Sequence, residues 1–120
     1  MDIRSPLRIA EEPGHDREHG AASAHVYREF GLTVVCVHGE IDISTVHILE
    51  TVLGVLSASP GDDVAVDLAK TSFIETSGLR VLLEAEARLA GCGRRLTVRR
   101  PRRGVRRLFT ALSSDHLLAA

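Results

Sequence analysis

Phe73-Ile74-Glu75-Thr76-Ser77-Gly78-Leu79 joins two kinds of periodicity within one turn. Upstream, Val64-Ala65-Val66-Asp67-Leu68 is short, apolar and rich in β-branched residues, the composition of a buried strand. Downstream, Leu79, Leu82, Leu83 and Leu89 recur at helical spacing, with Glu84, Glu86 and Arg88 on the wet side. That pattern predicts a helix from about Ser77 to Ala90, ended by Gly91-Cys92-Gly93. An acid, two hydroxyls and a glycine therefore fall where strand gives way to helix. The Ser77 hydroxyl is placed in the first helical turn, where backbone N–H groups lack partners and added negative charge is tolerated. Ser77 reads as a regulatory switch rather than a catalytic group. Capping alone also accounts for a serine there and contributes about 1 kcal/mol. Thr76 is the alternative cap and the second-choice acceptor.

Working outward, Leu32-Thr33-Val34-Val35-Cys36-Val37 is a nearly continuous β-branched run and reads as a buried strand, with Cys36 as a small core residue. His25–Phe30 makes a shorter strand before it, and Gly31 the turn between them. Gly39-Glu40-Ile41-Asp42 closes the second strand, and Ser44 or Thr45 caps a helix carrying Val46, Leu49, Leu53 and Leu56. Ser59-Pro60-Gly61-Asp62 ends that helix, and Lys70-Thr71-Ser72 reads as a loop. Leu96-Thr97-Val98 is a last short strand. Pro101 starts a third helix with Val105, Leu108, Phe109 and Leu112 at i, i+3, i+4 and i+7, and Leu117 and Leu118 cover the end of the core. Strands alternating with helices imply parallel pairing and right-handed crossovers. The expected fold is α/β, with about four strands in a mostly parallel sheet, an antiparallel first edge strand and helices mainly on one face. Those crossovers bring Asp42 to the same edge as Glu75 and Ser77. Residues 1–22 hold Pro6, Pro13, Gly14, Gly20 and mixed charge without periodicity, and read as a disordered tail before a domain over 23–120.

At 120 residues the chain is long enough for one domain and too short for two. With only four aromatics and no Trp, the core must be aliphatic. No apolar run approaches the roughly 20 residues that cross a bilayer, and no signal-peptide pattern is apparent, so a cytoplasmic setting is expected. Cys36 and Cys92 have no metal-ligand spacing, and the six histidines form no convincing ligand set. A Ser/His/acid hydrolase lacks its Gly-x-Ser-x-Gly elbow. No enzyme, metal or cofactor is expected. Charge is polarised: Gly39 to Glu75 carries seven acids against Lys70 alone, while Gly91 to Phe109 carries eight arginines and no acid. A charged partner follows from this more readily than a charged substrate. Nucleic acid is the sharp reading of the arginines, but no aromatics interleave for base stacking. A solvated face in contact with an acidic partner is preferred.

Five segments in this order resemble the STAS domain family, in particular the bacterial anti-sigma factor antagonists. They are Gly39-Glu40-Ile41-Asp42, Val64–Leu68, Phe73–Leu79, Gly91–Val98, and Pro101 through Val105, Arg107 and Leu108. The resemblance spans about residues 25–118. It implies a non-enzymatic switch whose unphosphorylated form binds an anti-sigma factor that is also a serine kinase, freeing a sigma factor for transcription. The kinase phosphorylates the serine before the motif glycine, here Ser77, and a metal-dependent serine phosphatase reverses this. The partner-facing edge comprises Gly39, Glu40, Asp42 and Ser44 from one turn and Glu75, Thr76, Ser77, Gly78 and Arg80 from the other. A monomer or weak dimer is expected. Two residues depart from the family pattern. Glu75-Thr76-Ser77-Gly78 stands where Asp-Ser-Ser-Gly is usual, which lengthens the acid by one methylene. Arg80 replaces a small residue and can select a different kinase or pair with a phosphate. The alternatives are an unmodified STAS scaffold subunit, in a stress-signalling or transporter-associated complex, and, further behind, a small nucleic-acid-binding protein.

Overall fold

The computed structural model describes residues 7–11 and 22–119. β2 (Ser23–Glu29) and β3 (Leu32–Ile41) form a hairpin over Phe30 and Gly31, both at positive φ, as a two-residue turn between twisted strands requires. A crossover through α1 (Val46–Ala58) leads to β4 (Asp63–Ile74), and a second through α2 (Thr76–Ala90) leads to β5 (Leu96–Arg99). α3 (Arg103–Ala111) and a short 3-10 turn, Asp115–Leu117, follow. β3, β4 and β5 pair in parallel, and β2 is antiparallel to β3, as expected.

The sheet has five strands rather than about four, in the order β1-β2-β3-β4-β5. The extra strand, β1 (Leu7–Glu11), pairs antiparallel with β2 and replaces it at the edge. The reading of a structureless tail is corrected for these five residues; 1–6 and 12–21 lie outside the described residues. An edge strand is recruited through one row of backbone groups, so it needs little core of its own. β4 also runs on through Lys70-Thr71-Ser72, read from sequence as a loop. His38 pairs with Lys70 and Gly39 with Thr71 across a shifted register, and the Thr71 hydroxyl donates to the Val37 carbonyl at 2.9 Å.

Alternation along the strands sorts the sheet into two faces. Val35, Val37, Val64, Val66, Leu68, Leu96 and Val98 join Leu53, Leu82, Leu89, Val105, Phe109 and Leu117 in one core, aliphatic but for Phe109, to which all three helices contribute. The opposite face buries Val34 and Ala65 beside a group of polar side chains. Asp67, only 3% exposed, accepts from Arg99 Nε at 3.3 Å and Arg100 Nε at 3.1 Å. Arg99 reaches on to Glu29 and the Tyr27 hydroxyl. Cys36 lies beside Tyr27 on this face and is half-buried, outside the aliphatic core, and burial pushes its thiol pKa up. Burial also pushes Asp67 upward, but hydrogen bonds from Arg100, the Ala69 N–H and Arg99 outweigh it and hold the carboxyl below the usual carboxylate range.

Candidate functional site

β3 and β4 end side by side, with Ile41 paired to Ile74, and each end turns into a helix. The Asp42 turn opens α1. Asp42 Oδ1 accepts from the Ser44 N–H at 2.9 Å, the Ser44 hydroxyl at 2.7 Å and the Thr45 N–H at 3.1 Å. These bonds, led by the Ser44 hydroxyl, outweigh burial and hold Asp42 below the usual carboxylate range. The Thr45 hydroxyl donates to the Glu40 carbonyl at 2.7 Å and accepts from the Asp42 N–H at 2.9 Å. The Asp42 side chain thus holds the turn before α1, whose N-cap residue is Thr45, and the Asp42 carbonyl accepts from the Val46 N–H at 2.8 Å.

Glu75 opens α2 and clamps the two turns together. Its N–H donates to the Ile41 carbonyl at 2.8 Å, and its Oε1 accepts from the Ile43 N–H at 3.0 Å. The Glu75 side chain thus reaches across from the start of α2 to the Asp42 turn. Gly78 completes the clamp: a Cβ there would lie 2.6 Å from Ile74 Cγ1 and 2.9 Å from Ile41 Cγ2. Only hydrogen fits beneath this turn of α2.

The Glu75 backbone takes the N-cap position, and its carbonyl accepts from the Gly78 N–H at 2.9 Å and the Leu79 N–H at 3.3 Å. Thr76 and Ser77 are therefore the first and second helical residues, and neither is the cap. Thr76 is exposed. Ser77 is half-buried, and its Oγ is buried without a hydrogen-bond partner. Arg80 is exposed one turn further along α2. The structure brings Asp42, Ser44, Glu75, Thr76, Ser77 and Gly78 together at one sheet edge. Gly39 and Glu40 stand back from it, inside β3. They pair with Thr71 and Phe73, and Gly39, at φ +95°, lies beside a register shift that re-aims the strand end.

Three apolar residues join this edge that the sequence reading did not assign to it. Ile43 is 79% exposed at the tip of the Asp42 turn, Phe73 is 47% exposed, and Leu108 comes from α3. With Ile74, Glu75, Thr76 and Ser77 they line one open groove. The sequence signal for Ile43 is an isolated isoleucine between two polar residues in a turn. Among the described residues no cluster of three His, Cys, Asp or Glu side chains could hold a metal ion, and no helix is long and apolar enough to cross a membrane. What the edge offers is an open apolar groove with the Ser77 hydroxyl and the Glu75 carboxylate among the groups that line it.

Solved structures share this architecture. An anti-sigma factor antagonist from Mycobacterium paratuberculosis is 28% identical, with a TM-score of 0.74 over 81% of this chain and 82% of that one. The anti-sigma factor antagonist SpoIIAA in its unphosphorylated form is 16% identical, with a TM-score of 0.71 over 80% of this chain and 85% of that one. The Bacillus cell fate determinant SpoIIAA in its phosphorylated form is 15% identical, with a TM-score of 0.65 over 80% and 88%. No curated protein matches the chain significantly. The family described as "Mlab, STAS domain" matches residues 24–119, from the hairpin through the turn that follows α3. Since that span takes in both clamped turns and all three helices, the chain belongs to the STAS domain family and has the fold of the anti-sigma factor antagonists.

Proposed function

We propose that the protein is an anti-sigma factor antagonist: a non-enzymatic cytoplasmic domain that binds an anti-sigma factor serine kinase at this edge and is released by phosphorylation of Ser77. The observation that carries the reading is the clamp, which sets Ser77 in the first turn of α2 beside the groove of Ile43, Phe73 and Leu108. Binding of the unmodified domain withdraws the kinase from its sigma factor and so controls transcription. A metal-dependent serine phosphatase restores the binding form.

The physics of such a switch is local. A phosphate brings roughly −1.5 to −2 charges. At the start of α2 the unpaired N–H groups and the helix dipole tolerate it, so the domain stays folded. Under a docked partner the same charge is desolvated beside an apolar groove and close to Glu75. Misplaced interfacial charge costs roughly 2–5 kcal/mol, about thirtyfold or more in Kd. The buried Ser77 Oγ must first leave its rotamer to meet a nucleotide. It makes no hydrogen bond, so none is broken by rotation to another staggered well.

That burial also favours a second reading, a scaffold that docks through the same groove and is never modified. One experiment separates the two. The protein is mixed with the serine-kinase anti-sigma factors of its source and ATP, and intact mass is followed for a gain of one phosphate. Fragmentation then assigns it to Ser77 or Thr76. In pull-downs Ser77→Ala should bind constitutively and Ser77→Asp poorly. Equal capture of both variants, with no mass gain from any kinase, would remove the switch and leave the scaffold.

A further inference from the structure

Eight arginines lie between Gly91 and Phe109, and the structure sorts them. Arg94 donates to the carbonyls of Leu56, Ser59 and Asp62 behind α1. Arg99 and Arg100 neutralise Asp67, and Arg102 donates to the Ala69 carbonyl. Arg95, just before β5, is exposed, and its backbone N–H donates to Asp63 Oδ1 at 2.9 Å; on α3, Arg103, Arg106 and Arg107 remain. All three are exposed, and among the described residues none of their guanidinium groups makes a hydrogen bond or ion pair. Their i, i+3 and i+4 spacing crowds three like charges onto one flank of the helix, which is unfavourable until an anion arrives.

Beside this flank runs a groove of about 470 Å³ between the end of β4 and α3. Phe73 and Ile74 form one wall, Gly104 and Leu108 the other, with Arg107 at the rim. We propose that this groove docks an acidic amphipathic segment of a partner protein. Its apolar side chains would lie between Phe73 and Leu108, and its carboxylates on Arg103, Arg106 and Arg107. Charge complementarity selects the occupant, because the cations are unpaired and the groove they border is apolar. A bilayer is disfavoured, since Val105 and Phe109, the main apolar residues of α3, are already buried in the core. A nucleic acid is disfavoured because no aromatic interleaves with the three arginines. The groove adjoins the Ser77 edge through Phe73, Ile74 and Leu108 but does not depend on modification of Ser77.

The test uses the full chain and a fluorescein-labelled peptide of about four helical turns, with Leu on one face and Glu on its flanks. Anisotropy is read at low salt, where charge pairing is strongest. Wild type should bind, and the triple variant Arg103→Glu, Arg106→Glu, Arg107→Glu should weaken binding at least about tenfold. Gly104→Leu is the decisive variant. A Cβ at Gly104 meets nothing within 4 Å, so the fold is kept while the leucine fills the groove and net charge is unchanged. It too should weaken binding about tenfold, as should replacing every Leu of the peptide by Ser. The proposal is overturned if the peptide does not bind wild type. It is also overturned if Gly104→Leu and the Ser peptide leave affinity unchanged, or if mixed-sequence duplex DNA binds the same arginines more tightly than the peptide.

Discussion

Replacing Ser77 by alanine should make this protein more stable. The Ser77 Oγ is buried with no partner, so it carries a desolvation cost that nothing offsets. An unsatisfied buried hydroxyl costs about 1–3 kcal/mol, and alanine adds a helix-propensity gain of about 0.5 kcal/mol. Against this stands the lost packing of a single oxygen, with each atom contact contributing about 0.1–0.2 kcal/mol. The net expectation is a gain of about 1–2 kcal/mol. In urea, with a slope near 2 kcal/mol/M for a domain of this size, the midpoint should rise by about 0.5–1 M. In a thermal melt the same gain is about 4 °C or more. The assay is a pair of urea transitions followed by far-UV circular dichroism, with Thr76→Ala, at an exposed position, as a control that should stay within about 0.5 kcal/mol of wild type. A fall in the Ser77→Ala midpoint by the equivalent of about 1 kcal/mol is what loss of an N-cap would give. That result would refute the assignment of the N-cap to Glu75 and the account of a free, rotatable hydroxyl. If the gain is found, stability and the proposed switch pull in opposite directions at one atom.

Other substitutions test the frame around it. Gly78→Ala gains about 1 kcal/mol of helix propensity but drives a methyl into Ile74 and Ile41. Overpacking there should cost about 1–3 kcal/mol, leaving a net loss visible as a lower urea midpoint. Asp67→Asn removes the charge that Arg99 and Arg100 share. Because Arg100 is 66% exposed and can turn to water, the loss should be about 2 kcal/mol rather than the 3–5 of a fully buried pair. Both Asp67 and Asp42 are held below the value of about 3.9 that an aspartate has in the unfolded chain. The folded state therefore binds fewer protons, so their stabilisation is complete above that value and drains as pH falls through their folded values. Urea midpoints followed from about pH 5 to pH 2 should decline in wild type and decline less in Asp67→Asn. Arg94→Ala leaves the Leu56, Ser59 and Asp62 carbonyls without their shared donor and should lower the thermal midpoint by the equivalent of about 1–3 kcal/mol.

The alternation of strands and helices was legible because each core element carries its own periodicity. Val34-Val35-Cys36-Val37 and the Leu79–Leu89 stripe specify their states with little help from elsewhere. Three features escaped because they are set by partners distant in sequence. β1 is held by pairing with β2. The second half of β4 follows a bulged β3, so its side chains do not alternate in a way a single strand reveals. Asp67 looked like one more acid of the acidic stretch, yet its environment is written by Arg99 and Arg100, more than thirty residues away. At the site, the convergence of Asp42, Glu75 and Ser77 on one edge follows from the crossovers alone. The helix start was misread by one position, since two hydroxyls beside a glycine suggest a side-chain cap while the chain uses the Glu75 backbone. The apolar half of the groove was missed because Phe73 reads as strand interior, and its exposure depends on where α3 packs.

The Glu75 clamp has a kinetic consequence. The Asp42 turn and the start of α2 are bonded to each other through Ile41 and Ile43 and packed closely at Gly78, so a partner would meet them already in register. Little ordering entropy is left for the encounter to supply. Association should then proceed in one step at about 10⁵–10⁷ M⁻¹s⁻¹, linear in partner concentration and without a lag for rearrangement. Any control exerted on this surface would be felt almost wholly in how long the complex lasts.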